Sequence, residues 1–392
     1  MINSKIIAIA AVAIMLVAGA AVAVVVYNNN NNSEDNTPHT YTDIFGQEFT
    51  VHGKIKKSVI QSGPPLTFAS YLGPDVMNTI IATGNDVKHE GGQNTYSAAY
   101  DLTDKTKITQ ASFLAEIEKI VALEPDIVIV AGGNALSDSV KEFCSKLKEM
   151  GIAACAMKSV SEVNDATFQN QLRWLANVFG VSDRAEYLIA QSTGKVRELQ
   201  TMLAKVENVN VKHVFAGGIN WGGADGFLKS TSAYTPFIYL GNKVINVYSE
   251  ITSVQTSTLG WEQLYNYEST VHDIDMIFID SGSGYAGVKN QYTESSDNFE
   301  SLSAWGEKEV YNVLPWCSRG MMPDNSIIIA YQIAYMLYPE IFDSSFDMTA
   351  FTKEIWNLFM GFDCGQDVYD MEMSYYEKND LTKLLDVCPL VN

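Results

Sequence analysis

The fold is decided by a stretch in the first half of the chain, Phe113-Leu-Ala-Glu-Ile-Glu-Lys-Ile-Val-Ala-Leu-Glu-Pro-Asp-Ile-Val-Ile-Val-Ala-Gly-Gly-Asn134. Its first eleven residues place apolar side chains mostly three or four positions apart, which predicts a helix. Glu124-Pro125-Asp126 ends that helix. The wholly apolar segment from Ile127 to Val130 then predicts a buried strand, because strands covered on both faces have no polar alternation. A helix followed by such a strand indicates an α/β protein with a parallel sheet.

The segments on either side extend this pattern. Ser139 to Met150 predicts the next helix, and Ile152 to Met157 predicts the next strand. Upstream, Tyr41 to Gly53 roughly alternates apolar and polar residues around Gly46-Gln47, which predicts a β-hairpin. The first half is therefore expected to form one α/β lobe.

The second half repeats the same order of elements. Val211 to Ala216 predicts a strand, a helix is expected from about Trp261, and Met276 to Ile279 predicts another strand. Both strands end in glycine-rich loops. Between the halves, Asp183 to Val206 has a helical apolar stripe interrupted only at Ser192, which predicts one long amphipathic helix. We expect two similar α/β lobes joined by this helix.

The N-terminus carries one cation, Lys5, and then the uncharged stretch from Ile6 to Val26. About 20 apolar residues span a bilayer as a helix, so this stretch predicts a membrane anchor. Ala21-Val22-Ala23 resembles a processing site, so a cleaved secretory signal stays open. Either one exports the rest of the chain. The predicted divisions are residues 1–27 as anchor or signal, 28–40 as an asparagine-rich linker, 41–182 as the N-terminal lobe, 183–206 as the connecting helix and 207–392 as the C-terminal lobe.

Composition excludes several classes of function. The 392 residues contain 46 acidic and 26 basic side chains, a net charge of −20, and the lysines form no basic patch. Nucleic acid is therefore not an expected partner. The five cysteines form no CxxC motif and the five histidines lack ligand spacing, so no metal site is expected. In an exported chain Cys364 and Cys388 are the most plausible disulfide pair, with five free thiols as the alternative.

Several segments of the sequence together resemble the binding proteins of ABC importers that carry iron-siderophores, haem or cobalamin. The resemblance rests on the following residues: Thr42-Asp43-Ile44-Phe45-Gly46, Glu116 to Ile129, Gly132-Gly-Asn-Ala135, Lys148-Glu-Met-Gly-Ile152, Gly218-Ile-Asn220, Gly241-Asn242 and Leu337-Tyr338-Pro339-Glu340. It implies two Rossmann-like lobes on one rigid helix, with a metal chelate held in the cleft between them. It also implies a monomer without a cofactor of its own that delivers its ligand to a membrane permease.

Candidate ligand contacts are aromatic residues in glycine-rich loops, together with one arginine. The expected contacts are Tyr96, Tyr100, Trp221, Tyr285, Trp316 and Arg319. Aromatic side chains suit the flat or apolar flank of a chelate. The chain has four arginines, and Arg319 alone lies outside the predicted helices, where it could meet a carboxylate or hydroxamate oxygen. By resemblance, Glu262 and, less directly, Asp138 are the expected permease-docking acids.

Two other functions remain open from the sequence. An extracellular enzyme or a metallocluster-binding protein could use the same two-lobe scaffold, although no Gly-x-Ser-x-Gly elbow, HExxH motif or P-loop is present. The second open function is that of a surface adhesin, which would need no ligand cleft between the lobes. Gly282 to Gly287 matches the dinucleotide pattern G-x-G-x-x-G, but the polar segment from Val288 to Glu300 predicts a flexible loop rather than the helix such a site requires.

Overall fold

A computed structural model describes residues 37–206, 211–219, 226–282, 284–381 and 386–391 of the chain. The predicted anchor and most of the predicted linker lie outside these ranges, and so does Trp221. Within the described ranges, no helix is long and apolar enough to cross a membrane.

The N-terminal lobe is built on a parallel sheet. Its elements are β1 (Pro38–Thr42), β2 (Glu48–His52), β3 (Ser58–Ile60), α1 (Pro64–Tyr71), α2 (Pro74–Met77), β4 (Ile80–Gly84), α3 (Thr95–Ala99), β5 (Thr106–Ile108), α4 (Ile117–Val121), β6 (Ile127–Ala131), α5 (Asp138–Glu149), β7 (Ala153–Met157) and α6 (Ala166–Phe179). The strand order is β5-β4-β3-β6-β7, and each neighbouring pair is parallel. Every residue of β3 and β7 is buried, as the prediction of a doubly covered sheet requires.

The predicted entry hairpin is confirmed as β1 and β2, which pair antiparallel. Asp43 organises its turn, because its carboxylate accepts hydrogen bonds from the backbone N–H groups of Phe45 and Gln47, each at 2.9 Å. The same carboxylate accepts from the N–H of Ala156 in β7 at 3.0 Å. One buried side chain thus shapes the hairpin and fastens it to the edge of the sheet.

The long helix between the halves is present as α7 (Ser182–Leu203). Its buried stripe includes Leu188, Ser192 and Leu199, and the Ser192 hydroxyl donates to the Ile189 carbonyl, so the polar interruption is satisfied within the helix. Arg184 fastens the start of α7 by donating to the carbonyls of Tyr71, in α1, and of Leu358 and Phe359, further along the chain.

The C-terminal lobe repeats the architecture with a second parallel sheet. Its elements are β8 (Lys212–Gly217), β9 (Lys229–Thr231), α8 (Thr235–Leu240), β10 (Val244–Asn246), α9 (Val247–Ile251), β11 (Thr256–Thr258), α10 (Trp261–Thr270), β12 (Met276–Asp280), α11 (Tyr285–Glu300), α12 (Ser303–Gly306), β13 (Val310–Val313) and α13 (Pro323–Leu337). Two helices follow, α14 (Met348–Met360) and α15 (Gly365–Lys378), and they also pack on α1 and α3 of the N-terminal lobe. The strand order is β10-β8-β12-β13. Strands β9 and β11 form a separate antiparallel pair.

Two local predictions differ from the structure. The helix expected from Phe113 to Leu123 is divided into a 3₁₀ turn, Gln110–Ala115, and the short α4, with Glu116 between them. The segment from Val288 to Glu300, predicted to be a loop, is part of α11. Val288 and Tyr292 are four residues apart and share one face of the helix, whereas the non-helical backbone of Ser295 (φ −155°, ψ 53°) kinks the element before Phe299.

All five cysteines are free and buried. The predicted Cys364–Cys388 disulfide is therefore wrong, and the alternative of five free thiols is confirmed. The Cys388 sulfur lies 4.0 Å from the Tyr285 hydroxyl, whereas Cys364 lies at the start of α15 with its sulfur 4.0 Å from the Trp356 carbonyl oxygen. Cys364 and Cys388 thus contact different core groups and are not bonded to each other.

Candidate functional site

The loops that leave the carboxyl ends of the strands bring the two lobes into contact. The loop after β13 carries Met321, whose N–H donates to the Ser159 hydroxyl, two residues after β7, at 2.9 Å. A Cβ added to Gly63, after β3, would collide with the Arg319 carbonyl oxygen. Binding sites of open α/β sheets lie at such strand ends. We call the region between these loops the crevice.

Arg319 stands at the tip of a tight turn, Trp316 to Met322. Cys317 and Met321 form an isolated antiparallel bridge, and the Met322 N–H donates to the Trp316 carbonyl at 3.0 Å. At the tip, the backbone of Arg319 has φ 54°, in the left-handed region that costs a side-chain-bearing residue about 1–2 kcal/mol. A strained arginine held by its surroundings is typical of a functional site.

The turn is anchored from beneath by Asp280, the last residue of β12. Its carboxylate is 1% exposed and accepts hydrogen bonds from the N–H of Trp316 at 2.7 Å and of Gly282 at 2.8 Å. Desolvation raises the pKa of Asp280 to about 7, although the two N–H donors oppose that rise. Asp280 therefore fixes where the Arg319 turn begins.

The Arg319 side chain reaches across the crevice to Asp86, which follows β4. Its Nε forms an ion pair with the Asp86 carboxylate, and that carboxylate also accepts from the Ser62 hydroxyl at 2.8 and 3.0 Å. The Asp86 side chain is 11% exposed, whereas the Arg319 side chain is 47% exposed. Arg319 is thus held through one edge of its guanidinium while the rest of that group is accessible.

A second cation lies in the same region. Lys158 precedes Ser159 in the chain, and its Nζ lies 5.0 Å from the centroid of the Phe45 ring, a cation–π contact. The Phe45 ring is packed against Gly132, where a Cβ would collide with it. The loops at the strand ends therefore carry a guanidinium paired with a carboxylate and, after β7, an ammonium that lies over an aromatic ring.

The other predicted ligand contacts are placed differently. Tyr96 is 3% exposed, and its hydroxyl accepts from the Gly63 N–H at 3.1 Å, so it lies beneath the crevice. Tyr285 and Trp316 are buried in the C-terminal core, and Trp316 packs edge-on against Tyr234. Tyr100 donates to the Met360 carbonyl at 2.8 Å. Among the predicted contacts within the described ranges, Arg319 alone is exposed.

Sequence reasoning missed three crevice residues, Asp86, Lys158 and Phe45. Each lies just after a strand or in the turn of the entry hairpin. None lies in a glycine-rich loop with aromatic neighbours, which is the pattern that predicts the other ligand contacts. Polar residues directly after a strand were the signal available for Asp86 and Lys158. Asp86 could not be paired with Arg319 from the sequence, because the contact joins residues from opposite lobes.

A depression of about 720 Å³ lies between α15 and residues 89–101, beside the loop that leaves the carboxyl end of β4. Its lining combines apolar residues such as Met371 and Phe362 with four acids and two basic side chains: Glu90, Asp101, Asp367, Asp370, His89 and Lys378. An acidic lining does not suit an anionic ligand. We therefore assign the candidate site to the crevice, on the evidence of Arg319 and Lys158.

Histidines do not form a metal site in the described residues, where no three His, Cys, Asp or Glu side chains are grouped to hold an ion. His213 and His272, far apart in the sequence, do meet, and their rings stack with centroids 4.0 Å apart and planes at 8°. Nearly parallel rings direct their nitrogen lone pairs side by side rather than to one point. Desolvation, followed by the neighbouring His272, lowers the pKa of His213.

The two expected docking acids are both exposed at helix starts. Glu262 lies in the first turn of α10, and Asp138 begins α5, where it pairs with Lys141 at 3.2 Å. Helix α5 follows β6, and α10 precedes β12, so in an α/β layer both helices begin at the edge of the sheet that bears the strand ends. Their role in docking stays a prediction.

Comparisons with known proteins agree on one architecture. A family model described as periplasmic binding protein matches residues 74–313, more than half of the chain. No curated protein matches this chain at a significant level. Among solved structures, a periplasmic solute binding protein from Veillonella parvula is similar with a TM-score of 0.63 and 17% identity, covering 88% of this chain and 99% of that one.

Two further structures show the same fold. The molybdate periplasmic binding protein MolA of Haemophilus influenzae has a TM-score of 0.60 and 17% identity, covering 82% of this chain and 98% of its own. The TroA-like periplasmic binding protein FepB from Veillonella parvula has a TM-score of 0.58 and 18% identity, covering 82% and 96%. At these identities the likeness concerns the fold and not the ligand.

Proposed function

This chain belongs to the periplasmic binding protein family, and from that premise we propose that it captures a metal chelate in the crevice and delivers it to an ABC permease in the membrane. The observation that carries the proposal is Arg319, a strained and half-exposed arginine directed across the crevice. A guanidinium held through its Nε edge can still bind a ligand oxygen pair with its other N–H groups.

The charges of the crevice limit the class of ligand. Arg319 and Lys158 supply two positive charges, and Asp86 cancels one of them. A chelate with several negative charges, such as a ferric catecholate, would lack the cations needed to offset its desolvation. A ligand with one or two acidic groups fits better, which favours hydroxamate siderophores, haem or a cobalamin-like corrinoid. The Phe45 ring under Lys158 would supply an apolar face to such a ligand once the ammonium turns toward an acidic group of the ligand.

A small oxyanion is the second candidate. The solved structure of MolA was determined with molybdate, and a guanidinium and an ammonium on one crevice also suit a tetrahedral oxyanion. Size distinguishes the two candidates, since a chelate would contact Phe45 and an oxyanion would need only Arg319 and Lys158.

The remaining parts of the proposal concern the place of action. Residues 6–26 would hold the protein at the outer face of the membrane or be removed on export. The protein would act as a monomer. Glu262 and Asp138 would meet basic residues of the permease, and such pairing mainly speeds and orients association.

The test is a thermal-shift panel on protein beginning near Tyr41, with ferric hydroxamate, ferric catecholate, haemin, cobalamin and molybdate as probes. A ligand at 100 times its Kd stabilises the folded state by about 2.7 kcal/mol, which is measurable as a rise in Tm. We expect a rise with one of the weakly anionic chelates. A response to molybdate alone would assign the crevice to oxyanions, and no response to any probe would contradict both candidates.

A further inference from the structure

The C-terminal helix α15 is in contact with both lobes. Toward the N-terminal lobe, Glu372 accepts a hydrogen bond from the N–H of Gly92 at 2.9 Å. Toward the C-terminal lobe, the Tyr376 hydroxyl lies 2.6 Å from the Ser281 hydroxyl. Glu372 and Tyr376 are 3% and 1% exposed, so neither bond can be replaced by water without opening the contact.

Glycines allow the close approach of α15 to the N-terminal lobe. A Cβ on Gly91 would lie 2.5 Å from the Met371 carbonyl oxygen, and one on Gly92 would collide with the Tyr375 ring. Gly92 has φ 75°. The helix backbone and an aromatic ring therefore lie directly on the loop between β4 and α3, and any larger residue there would displace them.

Both contacts lead to the crevice. Gly92 lies in the loop after β4, which also carries Asp86. Ser281 follows Asp280, the carboxylate that holds the start of the Arg319 turn. The two members of the Asp86–Arg319 ion pair are thus each supported by a segment that α15 touches. Helix α15 lies beside α3 of the N-terminal lobe, far from it in sequence.

We propose that α15 is a further tie between the lobes, in addition to α7 and the loop contacts at the crevice. Glu372 and Tyr376 are then positioning residues that hold Asp86 and Arg319 in place across the crevice. The link to ligand binding rests on the proposed function. The link to lobe geometry does not, because it can be measured on the ligand-free protein.

The experiment is hydrogen exchange on ligand-free Gly92→Ala, in which the new Cβ displaces Tyr375 and with it α15. The reporters are the N–H of Met321, which donates to Ser159 across the lobe boundary, and the N–H of Trp316, which donates to Asp280. We expect peptides covering residues 316–322 to exchange about tenfold faster or more, while the middle of α7 stays protected.

Two variants distinguish the effect of the collision with the Tyr375 ring from the effect of ordinary backbone strain at the glycine. Gly180→Ala is the matched control, because Gly180 has φ 73° and nothing within 4 Å of a new Cβ, so the variant carries the strain without the collision. Gly92→Ala with Tyr375→Ala removes the ring and should restore the protection. Faster exchange confined to α15, or a double variant as unprotected as Gly92→Ala, would overturn the proposal.

Tyr376→Phe tests the other end of the tie if Gly92→Ala does not fold. It removes one hydroxyl and should speed exchange at residues 316–322 without changing exchange in β3 or β6. Ligand binding is then measured on the same proteins, with the probe that stabilises the wild type. Unchanged hydrogen exchange at residues 316–322 together with weakened binding would overturn the proposal that α15 ties the lobes. Altered exchange with no ligand found at all would contradict only the proposed function.

Discussion

Replacing Glu372 with glutamine should make the protein more stable, and increasingly so as pH rises. Glu372 is 3% exposed, and desolvation raises its pKa from 4.5 to about 8, with the Gly92 N–H opposing the rise and Asp324 adding to it. Below pH 4.5 the folded and unfolded chains both hold the proton, so burial of this group carries no proton-linked cost. Between pH 4.5 and 8 the unfolded chain releases the proton while the folded chain keeps it, so stability falls.

The magnitude follows from the shift. One pKa unit corresponds to about 1.4 kcal/mol, so Glu372 costs the folded state roughly 1 kcal/mol at pH 5, about 3 at pH 7 and on the order of 4 at pH 8. Glutamine is never charged, and its side-chain oxygen can accept from Gly92 as the carboxyl does. The stability advantage of Glu372→Gln over wild type should therefore grow by about 3 kcal/mol from pH 5 to pH 8.

Urea unfolding at pH 5, 6.5 and 8 measures this advantage as the difference between the two proteins. The comparison is necessary because the buried carboxyls of Asp280 and Asp324 also have raised pKa values and contribute their own slope to both proteins. Glu377→Gln, an exposed carboxylate on the same helix, is the control and should leave the wild-type pH dependence unchanged. Parallel pH curves for wild type and Glu372→Gln would show that the buried carboxyl does not hold its proton, and would refute the reasoning.

Three further outcomes are expected. Arg319→Ala should weaken binding of the probe found in the panel about 10- to 100-fold by calorimetry, because charge-assisted hydrogen bonds contribute about 1.5–3 kcal/mol, while Arg173→Ala, which breaks an exposed pair with Glu186, should leave the affinity unchanged. A reductant should shift Tm by less than about 1 °C, since all five cysteines are free, and a fall of several degrees would reveal a disulfide. Glu262→Lys should lower uptake through the cognate permease while solution affinity is kept, and normal uptake at low salt would exclude a docking role.

The fold was predictable from the sequence wherever local pattern and tertiary environment agreed. The strand from Ile127 is apolar throughout because both faces of its sheet are covered, and the α7 stripe is apolar because that face packs on the lobes. The same reasoning failed at α11, where 16 mostly polar residues form a helix that is kinked at Ser295 and has few apolar side chains. Helix formation there depends on packing against the lobe, which the composition of the segment does not show.

The candidate site was predictable only in part. Arg319 was found because it is one of four arginines and the only one outside helices, a signal contained in one segment. Its partner Asp86 and the neighbouring Lys158 depend on the contact between lobes, which joins residues more than a hundred positions apart. Tyr285 and Trp316 lie in loop-like sequence, but tertiary packing buries them, and no local pattern distinguishes such a core aromatic from an exposed one.

The buried thiols make this chain suitable for site-specific labelling without any cysteine-free background. Desolvation raises the pKa of Cys144 to about 12 and that of Cys388 to about 11, so the thiolate that reacts with maleimides is scarce at neutral pH, and burial also denies the reagent access. Cysteines introduced at the exposed positions Asp138 and Glu262, one on each lobe, would then be the sites that take up a donor and an acceptor dye. Energy transfer between them would measure whether the lobes move relative to each other in single molecules.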